Sequence, residues 1–136
     1  MIDTNIVLDD ILNRAPNAET ARKVSQLVTD GTVNGYLTAN CLTDIFYIVS
    51  KHRNDDTARK VIRNLLLTFS VVSVDGDDCL TAIDLPMSDF EDALVLVCAE
   101  KADLSCIVTN DKSFQSIADL NVSVIGPADF LLKFTE

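Results

Sequence analysis

The sequence predicts an α/β protein: a three-layer α/β/α sandwich around a central parallel sheet of about four to five strands. Three observations carry this. Short β-rich runs alternate with longer helical patterns along the whole chain, as in parallel sheets covered on both faces. The helical stretches place apolar residues three and four positions apart. The chain has 136 residues, 48% of them apolar, enough for one domain spanning residues 1–136 with a core of its own.

Each element follows from local chemistry. Met1 and Ile2 form the stub of a strand leading into Asp3. Ile6, Leu8, Ile11 and Leu12 predict a short helix ending near Pro16. Residues 18–30 place Ala21, Val24, Leu27 and Val28 on one helical face, with Gly31 as the stop. Residues 35–38 read as a strand, and Asn40 as the cap of a helix running to His52. Asn54 caps the next helix, whose buried stripe is Val61, Ile62, Leu65 and Leu66. Residues 70–74 are a β-rich run ending at Asp75, followed by a helix over 77–83 and a loop through Pro86. Ser88 is the expected cap of a helix reaching Lys101. Residues 106–109 and 122–125 are the last strands, and Gly126-Pro127 opens a final helix.

Composition excludes several classes. The four cysteines, Cys41, Cys79, Cys98 and Cys106, form no C-x-x-C pair, and His52 is the sole histidine. A Cys/His zinc site is therefore not expected. Each cysteine reads as a small buried hydrophobe in a reducing compartment. No apolar run reaches the roughly 20 residues of a membrane span. No basic start followed by an apolar segment suggests a signal peptide. The expected location is the cytoplasm.

The net charge is −10, unevenly spread. Residues 1–63 hold eight bases against eight acids; the rest hold 13 acids and three bases. The chain as a whole lacks the basic footprint of a nucleic-acid binder. Locally, Lys51, Arg53, Arg59, Lys60 and Arg63 cluster within 13 residues. A solvated helical face would also explain them.

Four acids occupy positions that need a reason. Asp3 follows the first strand stub, and Asp111 lies two residues past the strand at 106–109. Asp44 and Asp92 lie in the first turns of helices next to the second and fourth strands. Parallel strands bring all four to one sheet edge, where open α/β sheets form their sites. Asp44 neighbours Cys41, Tyr47 and Ile48 on its helix, apolar company for a charge. In "SDFEDALVL", Asp89 and Glu91 suit the positive end of a helix. Asp92 comes later, where the sequence turns apolar nearly all round. Carboxylates without histidine or reactive cysteine suit a hard divalent cation such as Mg²⁺ or Mn²⁺. Such an ion turns their mutual repulsion into binding energy, and can activate water and stabilise charge on a phosphoryl oxygen.

These residues carry a family resemblance. "IDTNIVLD" at 2–9, Asp44 after strand two, "DFEDALVLVCAE" at 89–100 and "VTNDKSF" at 108–114 come in the order seen in PIN domains. The chain resembles the VapC-type toxins of bacterial toxin–antitoxin pairs, over almost its whole length. The resemblance implies a Mg²⁺- or Mn²⁺-dependent endoribonuclease acting on RNA, a homodimer, and a cognate antitoxin as partner. It implies Asp3, Asp44, Asp92 and Asp111 as catalytic and metal-binding residues, with no further cofactor. Thr4, Asn5 and Asn110 match polar positions beside the site, and Asp89 is close enough to assist. Two features depart from the pattern. Relatives commonly have glutamate where this chain has Asp44, so this ligand is a methylene shorter. The first strand has only two residues before Asp3.

On this reading the basic cluster at 51–63 holds the RNA backbone, and specificity comes from unstacked bases. No aromatic platform that would identify a base sequence stands out. Two alternatives belong to other classes. One is a non-catalytic binding module that keeps the PIN fold. The other is a phosphoaspartate receiver-like domain with Asp75 as acceptor; that class needs a lysine after its last strand, where this chain has Gly126-Pro127. A haloacid-dehalogenase-type phosphatase would need a second aspartate at position 5, which is asparagine.

Overall fold

The computed structural model describes residues 1–117 and 120–134. Four short parallel strands alternate with helices, as expected. In chain order the elements are α1 (Thr4–Ile11), α2 (Ala18–Thr29), β1 (Tyr36–Thr38), α3 (Ala39–His52), α4 (Asp55–Thr68), β2 (Ser70–Val72), α5 (Gly76–Ile83), α6 (Phe90–Lys101), β3 (Cys106–Val108), α7 (Lys112–Gln115), β4 (Ser123–Ile125) and α8 (Pro127–Leu132).

The strand stub at the N-terminus sits at the centre of the sheet. β1 pairs in parallel with β2, and β3 with β4. Residues 1–3 lie between the two pairs. The Ile2 amide donates to the Tyr36 carbonyl at 2.9 Å. On the other side the Asp3 amide donates to Val108, and the Val108 amide to Met1, at 3.0 and 2.9 Å. Two residues suffice as a strand because both edges of the ribbon are hydrogen-bonded.

Alternation along these ribbons separates two cores. Ile2, Leu37 and Val108 face a core built with α1, α2, α3, α4 and α8. Met1, Val72 and Ile107 face the opposite core, built with α6 and α7. Helices therefore cover both faces, which makes three layers. α6 is the most enclosed helix: Val95, Leu96, Cys98 and Ala99 pack towards the sheet, while Ala93, Leu94 and Val97 pack with Ala82 of α5. The all-round apolar pattern after Asp92 is explained by this double contact.

Several local expectations change. α1 ends at Ile11, with Leu12 as its C-cap, well before Pro16, and Asp3 caps its start through the Thr4 amide at 2.8 Å. α3 begins at Ala39 with Thr38 in the cap position. Asn40 therefore lies inside the first turn, and its Oδ1 is buried without a hydrogen-bond partner. α6 is capped by Asp89, not Ser88: Asp89 Oδ1 accepts from the Asp92 amide at 3.0 Å. β2 stops at Val72, two residues short of the β-rich run. Asn54 caps α4 as expected, accepting from the Thr57 amide at 2.7 Å. Gly31 follows α2 with φ of 80°, the left-handed conformation that ends helices. Cys41 and Cys98 are buried, whereas Cys79 and Cys106 are half-buried.

Candidate metal centre

The carboxyl ends of the ribbons open into a cleft of about 280 Å³. Six acids line it: Asp3, Asp44, Asp89, Glu91, Asp92 and Asp111. Thr4, Asn5 and Tyr47 complete the parts that matter here. A larger cavity of about 450 Å³ opens elsewhere, along Met1, Tyr36, Cys106 and Phe130, with Asp103 as its sole acid. It lacks a converging donor set.

Helix starts hold three of the acids in place. Asp3 caps α1, Asp89 caps α6 and Asp111 caps α7, where its Oδ1 accepts from the Ser113 and Phe114 amides at 2.9 and 3.3 Å. Each cap spends one oxygen on backbone amides and fixes the carboxylate. The positive ends of these helices offset part of the negative charge.

Within the cleft, Asp89, Asp92 and Asp111 form a tighter group. One carboxylate oxygen from each lies within 4.8 Å of the others. Among the sequence-predicted residues, Asp92 and Asp111 are thus brought together. Asp3 and Asp44 line the same cleft but stand outside this group. Asp89, which helix capping alone seemed to explain, caps α6 and joins the group as well. A cap residue one turn before a half-buried acid was the signal that both roles could coincide.

Asp44 differs most from expectation. It is exposed, on the rim of the cleft, so its apolar sequence neighbours impose no burial cost. Its carboxylate meets Glu91 within hydrogen-bonding reach. Glu91 is held above the usual carboxylate range by burial first, then by the charges of Asp44, Asp3 and Asp89.

Electrostatic tension is greatest at Asp92. Its pKa is pushed up to about 7, first by burial, then by Asp89, by the hydrogen-bonded Asp111, and by Asp3. Asp3 is also raised, chiefly by burial, although hydrogen bonds from Thr109 and the Thr4 amide work against this. Asp89, Asp92 and Asp111 offer oxygen donors only, at mutual distances a single ion can span. The donor set fits a hard divalent cation, which would relieve the repulsion.

Thr109 is a site residue the sequence reading missed. It is fully buried. Its hydroxyl donates to Asp3 Oδ2 at 2.6 Å and accepts from the Asp111 amide at 3.1 Å. It therefore ties the two acids at neighbouring ribbon ends. A threonine directly after an apolar strand, two residues before an acid, was the available signal. Thr4 and Asn5 line the cleft as expected. Asn110 turns elsewhere and donates to Asp9 Oδ2 at 3.1 Å. Asp75, which a phosphoaspartate receiver would use, instead caps α5 in a reciprocal pair with Asp78 and does not line the cleft.

No curated protein matches the sequence. Among solved structures, a toxin–antitoxin complex from Klebsiella pneumoniae is similar with a TM-score of 0.68 and 18% identity, covering 93% of this chain and 95% of the other. VapBC2 from Rickettsia felis, bound to a DNA fragment from their promoter, is similar with a TM-score of 0.67 and 16% identity, covering 93% and 96%. Identities this low show a shared fold. The PIN domain family matches residues 1–113, a stretch that contains every cleft acid. The chain belongs to the PIN domain family.

Proposed function

We propose that this PIN domain is a Mg²⁺- or Mn²⁺-dependent endoribonuclease, the toxin of a toxin–antitoxin pair. The observation that carries this reading is the group of three carboxylate oxygens from Asp89, Asp92 and Asp111 within 4.8 Å. Asp92 and Asp111 would hold the cation together with Asp89. Asp3 would join from the central ribbon, with its orientation set by Thr109, and Asp44 from the rim. A bound divalent cation supplies an activated water and stabilises the charge that develops on the scissile phosphate.

The chain's own groups do the rest. Helix caps keep three carboxylates fixed before substrate arrives, which limits the reorganisation that catalysis would otherwise need. The Asp44–Glu91 pair sits on the rim, and burial with like charge keeps a proton on Glu91 to higher pH than usual. The exposed placement of Asp44 gives one ground for the alternative, a binding module that keeps the fold without activity.

RNA is the proposed substrate, and the basic cluster on α3 and α4 its backbone contact. The similar folds of two toxin–antitoxin assemblies support an antitoxin partner. A homodimer acting in the cytoplasm completes the proposal; among the described residues no helix is long and apolar enough to cross a membrane. The test is cleavage of a mixed RNA pool with Mn²⁺, with EDTA, and by Asp92→Asn. Cleavage that needs Mn²⁺ and disappears in the variant is expected. Equal cleavage by the variant would overturn the assignment.

A further inference from the structure

The hairpin of α3 and α4 carries a charge anomaly. In this chain 21 acids outnumber 11 bases. Arg14, Arg22, Lys23 and Lys101 each pair with an acid. Lys51, Arg53, Arg59, Lys60 and Arg63 are all exposed, and among the described residues none is in an ion pair. Of the hairpin's three acids, Asp44 lines the cleft, and Asp55 and Asp56 sit on the first turn of α4, where they suit the helix dipole. Asp55 accepts from the Ser50 hydroxyl rather than from a base. Five cations outside any ion pair on one hairpin of so acidic a chain form a surface complementary to a polyanion.

Tyr47 gives the second observation. It lies on α3, three residues after Asp44, and lines the acidic cleft. It is 62% exposed, and it belongs to neither core. Lys51 Nζ lies 5.4 Å from its ring centroid and 3.4 Å from its hydroxyl. The Arg59 guanidinium lies 5.9 Å from the ring centroid of the adjacent Phe46. An open aromatic face at the cleft mouth, with the Lys51 cation beside it and the Arg59 cation beside the next residue's ring, matches how single strands are held. Bases stack on the ring and phosphates meet the cations.

Resting on the nuclease reading of the cleft, we propose that Tyr47 is the base-stacking platform of a single-stranded RNA track. The track would leave the cleft along the α3–α4 hairpin, with Lys51 and Arg59 at the flanking phosphates. Tyr47 would then set which nucleotide stands beside the scissile bond by stacking, favouring unpaired over paired RNA.

The experiment measures binding of a fluorescein-labelled, unstructured RNA of about 12 nucleotides to the full chain carrying Asp92→Asn. Adding Tyr47→Ala is expected to weaken binding about tenfold, within the range for one stacked base. Tyr47→Phe should bind like the parent. Lys51→Gln with Arg59→Gln should lower the slope of log affinity against log salt by about 1.4. Tyr47 is exposed, so the alanine variant should keep its melting temperature, which the same samples report. Affinity unchanged by Tyr47→Ala, or no RNA binding at all, would overturn the platform and leave the hairpin as a surface for a protein partner. RNA binding that depends on Tyr47, without Mn²⁺-dependent cleavage by the unaltered chain, would keep the platform and defeat the nuclease reading. Cleavage with KM untouched by Tyr47→Ala would do the reverse.

Discussion

This chain treats its buried and half-buried acids in two ways. Asp78 meets Lys101 Nζ at 2.6 Å, and Asp9 meets Arg14 Nε at 2.8 Å, with Asn110 on its other oxygen. Among the described residues, Asp3 and Asp92 are paired with no base; their neighbours are a threonine, backbone amides and other acids. The titrations diverge accordingly. The Lys101 ammonium holds Asp78 below the usual carboxylate range, whereas Asp92 rises to about 7. Where an acid serves only the fold, the fold supplies its counter-charge. At the cleft it supplies none, which is the arrangement the proposed cation would need.

The sharpest way to break this comparison is Asp92→Asn. It removes the most strained carboxylate of the close group and should take RNA cleavage to background, measured with Mn²⁺ on a mixed pool. The next effect is thermal. A competent site at a hundredfold excess of Mn²⁺ over Kd should gain about 2.7 kcal/mol of stability. Asp92→Asn should lose most of that shift in a melting experiment. An undiminished shift in the variant would place the cation elsewhere.

The two classes of acid were not equally legible in the sequence. Asp92 and Asp111 stood out, because each breaks a local pattern next to a strand or a buried helix. The convergence of ribbon ends was also legible, since parallel topology leaves little choice of edge. Asp89 was masked by the adjacent Ser88: both residues can cap, and one-dimensional rules do not say which oxygen meets the Asp92 amide. The Thr109–Asp3 and Asn110–Asp9 contacts were out of reach for another reason. They join segments 106 and 101 residues apart, and only folding makes them neighbours. The exposure of Asp44 depended on the rotation of α3 about its axis, which its apolar neighbours on both sides left open.

The paired acids give the contrasting result. Arg14→Ala strips the partner from Asp9 and leaves a buried carboxylate with Asn110 alone. The expected loss is about 1–2 kcal/mol, as for a charged hydrogen bond to a partly exposed donor. Unfolding by denaturant would read it as a lower midpoint with unchanged slope. The Mn²⁺ shift should survive in this variant, because Arg14 serves Asp9 and not the close group. If Mn²⁺ no longer stabilised the folded variant, the division between structural and ligand-directed acids would fail.

The smallest effect is also the most specific, because the two classes answer to pH with opposite sign. Asp92 has its folded pKa raised from 3.8 to about 7. Without metal, its contribution is fully present below pH 3.8 and is lost as pH rises through 7. Asp78 is depressed by Lys101, so its contribution is present above 3.8 and is lost on acidification. Between about pH 4 and pH 7 the Asp92 contribution therefore declines while Asp78 stays ionised in both states. Asp92 is half-buried, and water screens much of the shift, so the decline should be about 1–2 kcal/mol. Metal-free melting across this window should show stability falling with pH, and Asp92→Asn should flatten that fall. Below pH 4 the variant and the parent should lose stability together, since Asp78 and its partner are intact in both. A fall of equal slope in the variant would mean that the proton-linked repulsion sits on another carboxylate, with Asp3 and Glu91, the other raised acids of the cleft, as the next to replace.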